Sequence, residues 1–159
     1  GIDIKKAPAV VQDDVRANLA FMYLINNRAK DARTLVDELR LDRQPNAKAK
    51  AMYAAVSAEA FARTGRPDEA KKLLETYDAE DPEYGEVKPM LLRAQIYTYM
   101  ATKNRGLAEK AMRKLAKADA NMLAPFVQKG ARPELQALAM KALRGAGLAP
   151  KPKVKLQRR

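Results

Sequence analysis

The stretch AMYAAVSAEAFARTGRPDEAKKLLETY, residues 51–77, decides the fold class of this chain. Its first part, 51–64, is rich in alanine and has no glycine or proline, as expected of a helix that packs closely against others. The turn at 65–68 supplies a glycine suited to a helix end and a proline suited to the next helix start. Apolar side chains at i, i+3, i+4 and i+7 then predict an amphipathic helix over 69–77. The stretch therefore predicts a helical hairpin.

This hairpin recurs along the chain at a fixed spacing. The second helix of each hairpin carries a fixed alanine, and the first helix carries an aromatic side chain nine positions earlier. Apolar matches arise easily in an alanine-rich chain, but an aromatic column paired with an alanine column does so much less often. The evenly spaced alanine column is Ala32, Ala70 and Ala108, and the aromatic column is Tyr23, Phe61 and Tyr99.

The repeat divides the chain into three units and an end unit. Two antiparallel helices cannot bury an apolar face alone, so we expect the units to stack, with 121–144 as a helical cap over the last apolar face. We expect a leader over 1–12 and a basic disordered tail over 145–159, which has spaced prolines and lysines and no acid. The repeat domain is 13–144, and its three units cover about 13–46, 51–84 and 89–120.

These columns resemble the tetratricopeptide repeat (TPR) family. That family has a small residue followed three positions later by an aromatic in its first helix, then an alanine in its second helix and a proline near the end of the unit. The third unit here has Ile96 in place of the small residue and no closing proline, and the step from one unit to the next is longer than the family's. The matching positions are Ala20, Tyr23, Ala32 and Pro45 in the first unit and Ala58, Phe61, Ala70 and Pro82 in the second.

The resemblance implies an all-α, tetratricopeptide-like helical-hairpin solenoid of about three repeats plus a capping helix, wound into a right-handed superhelix. The first helices of such arrays line a concave groove that binds a peptide or a helix of another protein. The family's groove positions fall here mostly on apolar side chains, although these could instead pack inside the array. The candidate groove residues are Phe21, Leu24, Ile25, Met52, Glu59, Arg63, Met90, Arg93, Tyr97 and Met100.

The resemblance also implies a non-enzymatic scaffold or adaptor for protein–protein interaction. Chaperone-binding members of the family hold a C-terminal carboxylate with lysine and asparagine, but Ala17 and Phe21 stand at those places, so that ligand is not expected. The alanine-rich, tryptophan-free composition suggests a bacterial protein, and bacterial arrays often act as assembly factors for secretion, pilus or envelope complexes. Without cysteine, both the cytoplasm and the periplasm are compatible.

Several kinds of chemistry are excluded by composition. The chain has no histidine and no cysteine, which rules out Ser-His-Asp and Cys-His sites and metal sites built on nitrogen or sulfur ligands. No phosphate-binding or dinucleotide-binding fingerprint occurs. The longest apolar run, 19–25, is too short for a transmembrane segment. We therefore expect no enzyme activity, no metal site and no cofactor.

The basic charge lies at one end of the chain. Residues 1–102 carry 16 basic and 16 acidic side chains, whereas 103–159 carry 15 basic and 3 acidic ones. This asymmetry suggests an alternative function, in which the protein associates with nucleic acid or the ribosome through its basic third. The basic tail could instead bind an acidic partner. Phe126 is the only aromatic of that region, so base stacking is disfavoured. The candidate basic patch is Lys110, Arg113, Lys114, Lys117, Lys151, Lys153, Lys155, Arg158 and Arg159.

Overall fold

The computed structural model of the chain describes residues 7–148, and over that range it contains helices and no strand. The prediction of an all-α fold is confirmed. Short 3₁₀ helices at Leu41–Arg43, Pro82–Val87 and Ala120–Leu123 connect longer helices. The α-helices, in chain order, are α1 (Ala9–Ile25), α2 (Ala29–Val36), α3 (Ala47–Arg63), α4 (Pro67–Leu74), α5 (Lys88–Ala101), α6 (Arg105–Ala118), α7 (Ala124–Val127) and α8 (Pro133–Gly145).

The first helix of each hairpin ends in the same turn. The backbone adopts a left-handed conformation at Asn27, Gly65 and Lys103, with φ of 62°, 87° and 60°. The next amide then donates to the carbonyl of the aromatic-column residue five positions earlier, which is the Schellman arrangement. The aromatic column therefore also marks where each hairpin turns. The hydrogen bonds run from Arg28 to Tyr23 (2.7 Å), from Arg66 to Phe61 (2.9 Å) and from Asn104 to Tyr99 (2.8 Å).

The alanine column occupies equivalent places in the three hairpins. Ala32, Ala70 and Ala108 are each fully buried, and each is the fourth residue of its helix. A methyl group at this point lets the second helix approach the first closely, where a larger side chain would hold the backbones apart. The three hairpins thus bury this alanine at the same position of their second helices.

The helices pack in sequence order. Helix α3 is the central one, because it contacts α1, α2, α4 and α5, and nearly all of its side chains from Ala51 to Ala62 are buried. One apolar core joins α1, α2 and α3, and a larger one runs from α3 to α8. Helix α8 contacts α6 and buries the stripe that includes Leu135 and Leu138. The apolar surface at the carboxyl end of the stack is therefore covered.

One boundary differs from the sequence expectation. The leader expected over 1–12 overlaps the first helix, because α1 begins at Ala9. No glycine or proline occurs between Pro8 and the end of α1, and the amide of Gln12 already donates to the carbonyl of Pro8 at 3.0 Å. The tail expected over 145–159 begins where α8 ends, but most of it lies outside the described residues.

A buried carboxylate ties α1 to the 3₁₀ helix at Leu41–Arg43. Asp13 is fully buried and accepts hydrogen bonds from Arg43 Nε (2.5 Å) and Nη2 (2.6 Å), and from Gln44 Nε2 (2.7 Å). The Arg43 hydrogen bonds hold the pKa of Asp13 below its ordinary value despite the burial. The carboxylate is thus satisfied within the fold and is not available to a ligand.

Candidate binding cavity at the ends of the first helices

A cavity of about 370 Å³ lies where α1, α3 and α5 end. The segment from α7 to the start of α8 forms its remaining wall, so all three hairpins and the last unit contribute to it. Arginine, lysine and aromatic side chains provide much of the lining. The lining residues are Leu24, Ile25, Asn27, Ala62, Arg63, Arg93, Tyr97, Ala101, Pro125, Phe126, Gln128, Lys129, Gly130, Ala131, Arg132 and Leu135.

An ion network stands at the inner side of the cavity. Arg93 on α5 and Glu59 on α3 are each only 2% exposed. Arg93 donates from Nε to Glu59 Oε1 at 2.7 Å and from Nη2 to Oε2 at 3.1 Å. Arg63 donates from Nη1 to the same Oε2 at 2.6 Å. Two guanidinium groups thus share one carboxylate, which leaves the network with a net positive charge.

Contacts to α1 hold the two guanidinium groups in place. Arg63 donates from Nη1 to the carbonyl of Leu24 at 3.0 Å and from Nη2 to Asn27 Oδ1 at 2.6 Å. Arg93 Nη2 approaches the same Leu24 carbonyl at 3.4 Å. Burial alone would lower the pKa of the Arg93 guanidinium, but its attraction to the Glu59 carboxylate raises that pKa above its ordinary value. Arg93 therefore stays charged although it is removed from water.

Two aromatic rings support the arginines. The Arg63 guanidinium lies 4.5 Å from the centroid of the Tyr97 ring, and that of Arg93 lies 5.5 Å from it. Arg93 also lies 5.6 Å from the centroid of Phe126, whose ring contacts that of Tyr97. Cations are favoured over such ring faces, and more so away from water. Burial raises the pKa of Tyr97, so its hydroxyl stays protonated.

The turn between α7 and α8 adds two more cations. Lys129 and Arg132 line the cavity, are exposed, and form no ion pair with any residue between 7 and 148. Gly130 lies between them with φ of 93°, a left-handed conformation that glycine adopts without strain. The cavity is therefore bordered by four cationic side chains, and the carboxylate beneath them, Glu59, is already bonded to two of them.

The structure separates the predicted groove residues into two sets. Leu24, Ile25, Arg63, Arg93 and Tyr97 line the cavity, and Glu59 bonds to two of these from beneath. The other four pack against the hydrophobic cores, where the flexible side chains of the three methionines fill gaps between helices. The lining of this cavity combines apolar side chains with four cations and two aromatic rings. The residues that pack against the cores are Phe21, Met52, Met90 and Met100.

Sequence reasoning missed the contribution of the last unit. Phe126, Lys129 and Arg132 fall within 121–144, which the sequence predicts as a cap, yet they line the same cavity as α1, α3 and α5. The available signal was an aromatic residue and two cations around the short Pro125 helix, in a region otherwise without aromatics. That signal could not show which surface the segment covers.

The described members of the predicted basic patch all lie on α6, away from the cavity lining. On α6, Lys110, Arg113 and Lys117 are exposed and none of them lines the cavity. Arg113 pairs with Glu109 at 3.1 Å, and Lys114 pairs with Glu80 at 3.2 Å. The remaining members, Lys151, Lys153, Lys155, Arg158 and Arg159, lie outside the described residues.

The fold defines this chain as an all-α protein of repeated hairpins. Searches with the chain against family models, curated proteins and solved structures found no match. No helix between residues 7 and 148 has both the length and the apolar character needed to cross a membrane.

Proposed function

We propose that this chain is a non-enzymatic scaffold of the tetratricopeptide type, which binds a peptide or helical segment of another protein at the surface formed by α1, α3 and α5. The observation that carries the proposal is the cavity at the ends of these helices, with the buried Arg93–Glu59 pair at its inner side. All three hairpins supply side chains to it, as expected when stacked units share one binding surface.

The chemistry of the cavity supports this proposal. Arginine and tyrosine in partly desolvated pockets are the side chains that most often dominate the energy of protein interfaces. Here Arg63, Arg93 and Tyr97 are already ordered by hydrogen bonds and ring contacts, so a partner would lose little entropy by ordering them. A volume of about 370 Å³ accepts one or two side chains of a partner.

The resemblance in the repeat columns adds a biological hypothesis. Bacterial arrays of such hairpins often bring parts of secretion, pilus or envelope complexes together, and we propose an assembly role of that kind by analogy. The cavity, unlike the basic surface of α6, combines buried polar groups with aromatic walls. We therefore place protein binding ahead of nucleic-acid binding.

A cavity-blocking variant tests the proposed function. Ala101 is exposed, ends α5 and lines the cavity, so Ala101→Trp fills the space without disturbing the core. Ala118 is a matched control, because it is exposed and ends α6 but does not line the cavity. Random displayed peptides would be selected on the parent protein, and their dissociation constants measured on both variants.

The expected result is a loss of at least about tenfold in affinity for Ala101→Trp, with Ala118→Trp equal to the parent. Thermal unfolding of both variants would confirm that they fold. If the selected peptides bind Ala101→Trp as tightly as the parent, the cavity is not the binding site and the proposal is wrong.

A further inference from the structure

We infer that the cavity receives a side-chain carboxylate, an aspartate or glutamate within the segment of the bound partner. This inference rests on the proposed function, because it names the chemistry of the segment that would bind there. It concerns the four cations around the cavity, Arg63, Arg93, Lys129 and Arg132.

The first argument is charge balance. Glu59 is the only acidic side chain among the cavity lining and its direct ion partners, and it already binds both Arg63 and Arg93. Lys129 and Arg132 have no acidic partner within residues 7–148. Like charges held around one small space repel each other, and an anion placed between them relieves that repulsion.

The second argument is an unused hydrogen-bond donor. Arg93 donates hydrogen bonds from Nε and Nη2 to Glu59 and the Leu24 carbonyl, whereas its Nη1 makes no hydrogen bond to any described residue. The side chain as a whole is 2% exposed, but Nη1 is not one of its fully buried atoms, so this donor is accessible from the cavity. An acceptor that enters the cavity can therefore bond to a charged donor in a largely desolvated place.

The third argument selects a carboxylate on a protein over a nucleic acid. A nucleic-acid backbone needs cations spread along a track, whereas these four converge on one cavity. Base stacking needs open aromatic faces, but the Tyr97 ring already carries two guanidinium groups. A carboxylate matches the planar fork of a guanidinium and leaves room for the rest of the side chain beside Phe126.

The test uses blocked probes. Tetraglutamate with an acetylated amino end and an amidated carboxyl end offers only side-chain carboxylates, and tetraglutamine of the same form is its neutral control. Inorganic phosphate represents a free oxyanion. Calorimetric titration of each probe would be carried out on the parent and on Lys129→Gln/Arg132→Gln, whose two positions are exposed. Lys110→Gln/Lys117→Gln is the matched control, since it removes the same charge from exposed positions outside the cavity.

We expect tetraglutamate to bind the parent and the control alike, and to bind Lys129→Gln/Arg132→Gln at least about tenfold more weakly, because two charge-assisted contacts are lost. Tetraglutamine should not bind. Equal weakening in both double variants would reveal general electrostatics and overturn the inference. The inference would also be overturned if tetraglutamine bound as tightly as tetraglutamate. The same holds if phosphate bound as tightly as tetraglutamate and with the same dependence on the variants.

The outcome can be separated from that of the proposed function. If the selected peptides depend on Ala101 but carry no acid, and tetraglutamate does not bind, the scaffold proposal stands and the carboxylate inference fails. If tetraglutamate binds as expected while the selected peptides ignore Ala101→Trp, the cavity is an anion site and the scaffold proposal fails.

Discussion

At the scale of single residues, the Glu59–Arg93 pair is costly for the fold. Removing both charges from water costs several kcal/mol per ion, and the pair regains this only through close geometry and further hydrogen bonds. Here Arg63 and the Leu24 carbonyl supply the further bonds. Apolar side chains of similar volume would serve the stability of the fold as well, so the pair is better explained by its place in a network that, with Arg63, presents a net positive charge to the cavity.

A single and a double variant test this explanation. Glu59→Met leaves Arg93 buried without its partner, so we expect the free energy of unfolding to fall by about 3–5 kcal/mol. Glu59→Met/Arg93→Met removes both charges and should recover most of that loss. Urea unfolding followed by circular dichroism measures both. A double variant that is no more stable than the single one would show that the pair is needed for the fold itself.

At the scale of elements, the hairpin turn was the most predictable feature of the chain. In the second unit, Gly65 and Pro67 predict the turn. The fixed spacing of the repeat then predicts the equivalent turns at Asn27 and Lys103, although neither residue is a glycine. The aromatic column lies at a fixed distance from the turn, because the backbone carbonyl of each of its residues accepts the hydrogen bond that closes the turn. The cavity was only half predictable: the groove positions implied by the family resemblance include Arg63 and Arg93, whereas the α7–α8 turn lies outside the repeat.

The absence of glycine at Lys103 gives a prediction at this scale. Lys103 has φ of 60°, a conformation that costs a residue with a β-carbon roughly 1 kcal/mol, and it is exposed. Lys103→Gly should therefore raise the free energy of unfolding by about 0.5–1 kcal/mol.

A control in regular helix separates this effect from that of the lost charge. Lys110 is exposed inside α6, so Lys110→Gly should lower the free energy of unfolding by about 1 kcal/mol. Chemical unfolding of both variants makes the comparison. If the two glycines destabilise the protein equally, the turn does not hold Lys103 in the left-handed conformation.

At the scale of the whole molecule, the stack has two dissimilar ends. At the carboxyl end, α8 covers α6. At the amino end, the face of α1 opposite the core leaves apolar side chains such as Val15 and Met22 at 44% and 55% exposure. One apolar core joins α1, α2 and α3, and the other runs from α3 to α8, so α1 and α8 are supported by different cores. Where helices contact mainly their neighbours, stability is approximately a sum of local terms.

Local stability of this kind predicts an asymmetric response to two matched substitutions. Leu24 on α1 and Leu138 on α8 are 1% and 2% exposed, and they belong to different cores. Each change to alanine should cost about 2–5 kcal/mol. Each substitution should open the helices next to it before the rest of the protein. Native-state hydrogen exchange should therefore become faster first in α1 and α2 for Leu24→Ala, and first in α6 and α8 for Leu138→Ala. If both variants speed exchange uniformly along the chain, the stack unfolds as one cooperative unit, and a partner bound at the cavity would stabilise every helix equally.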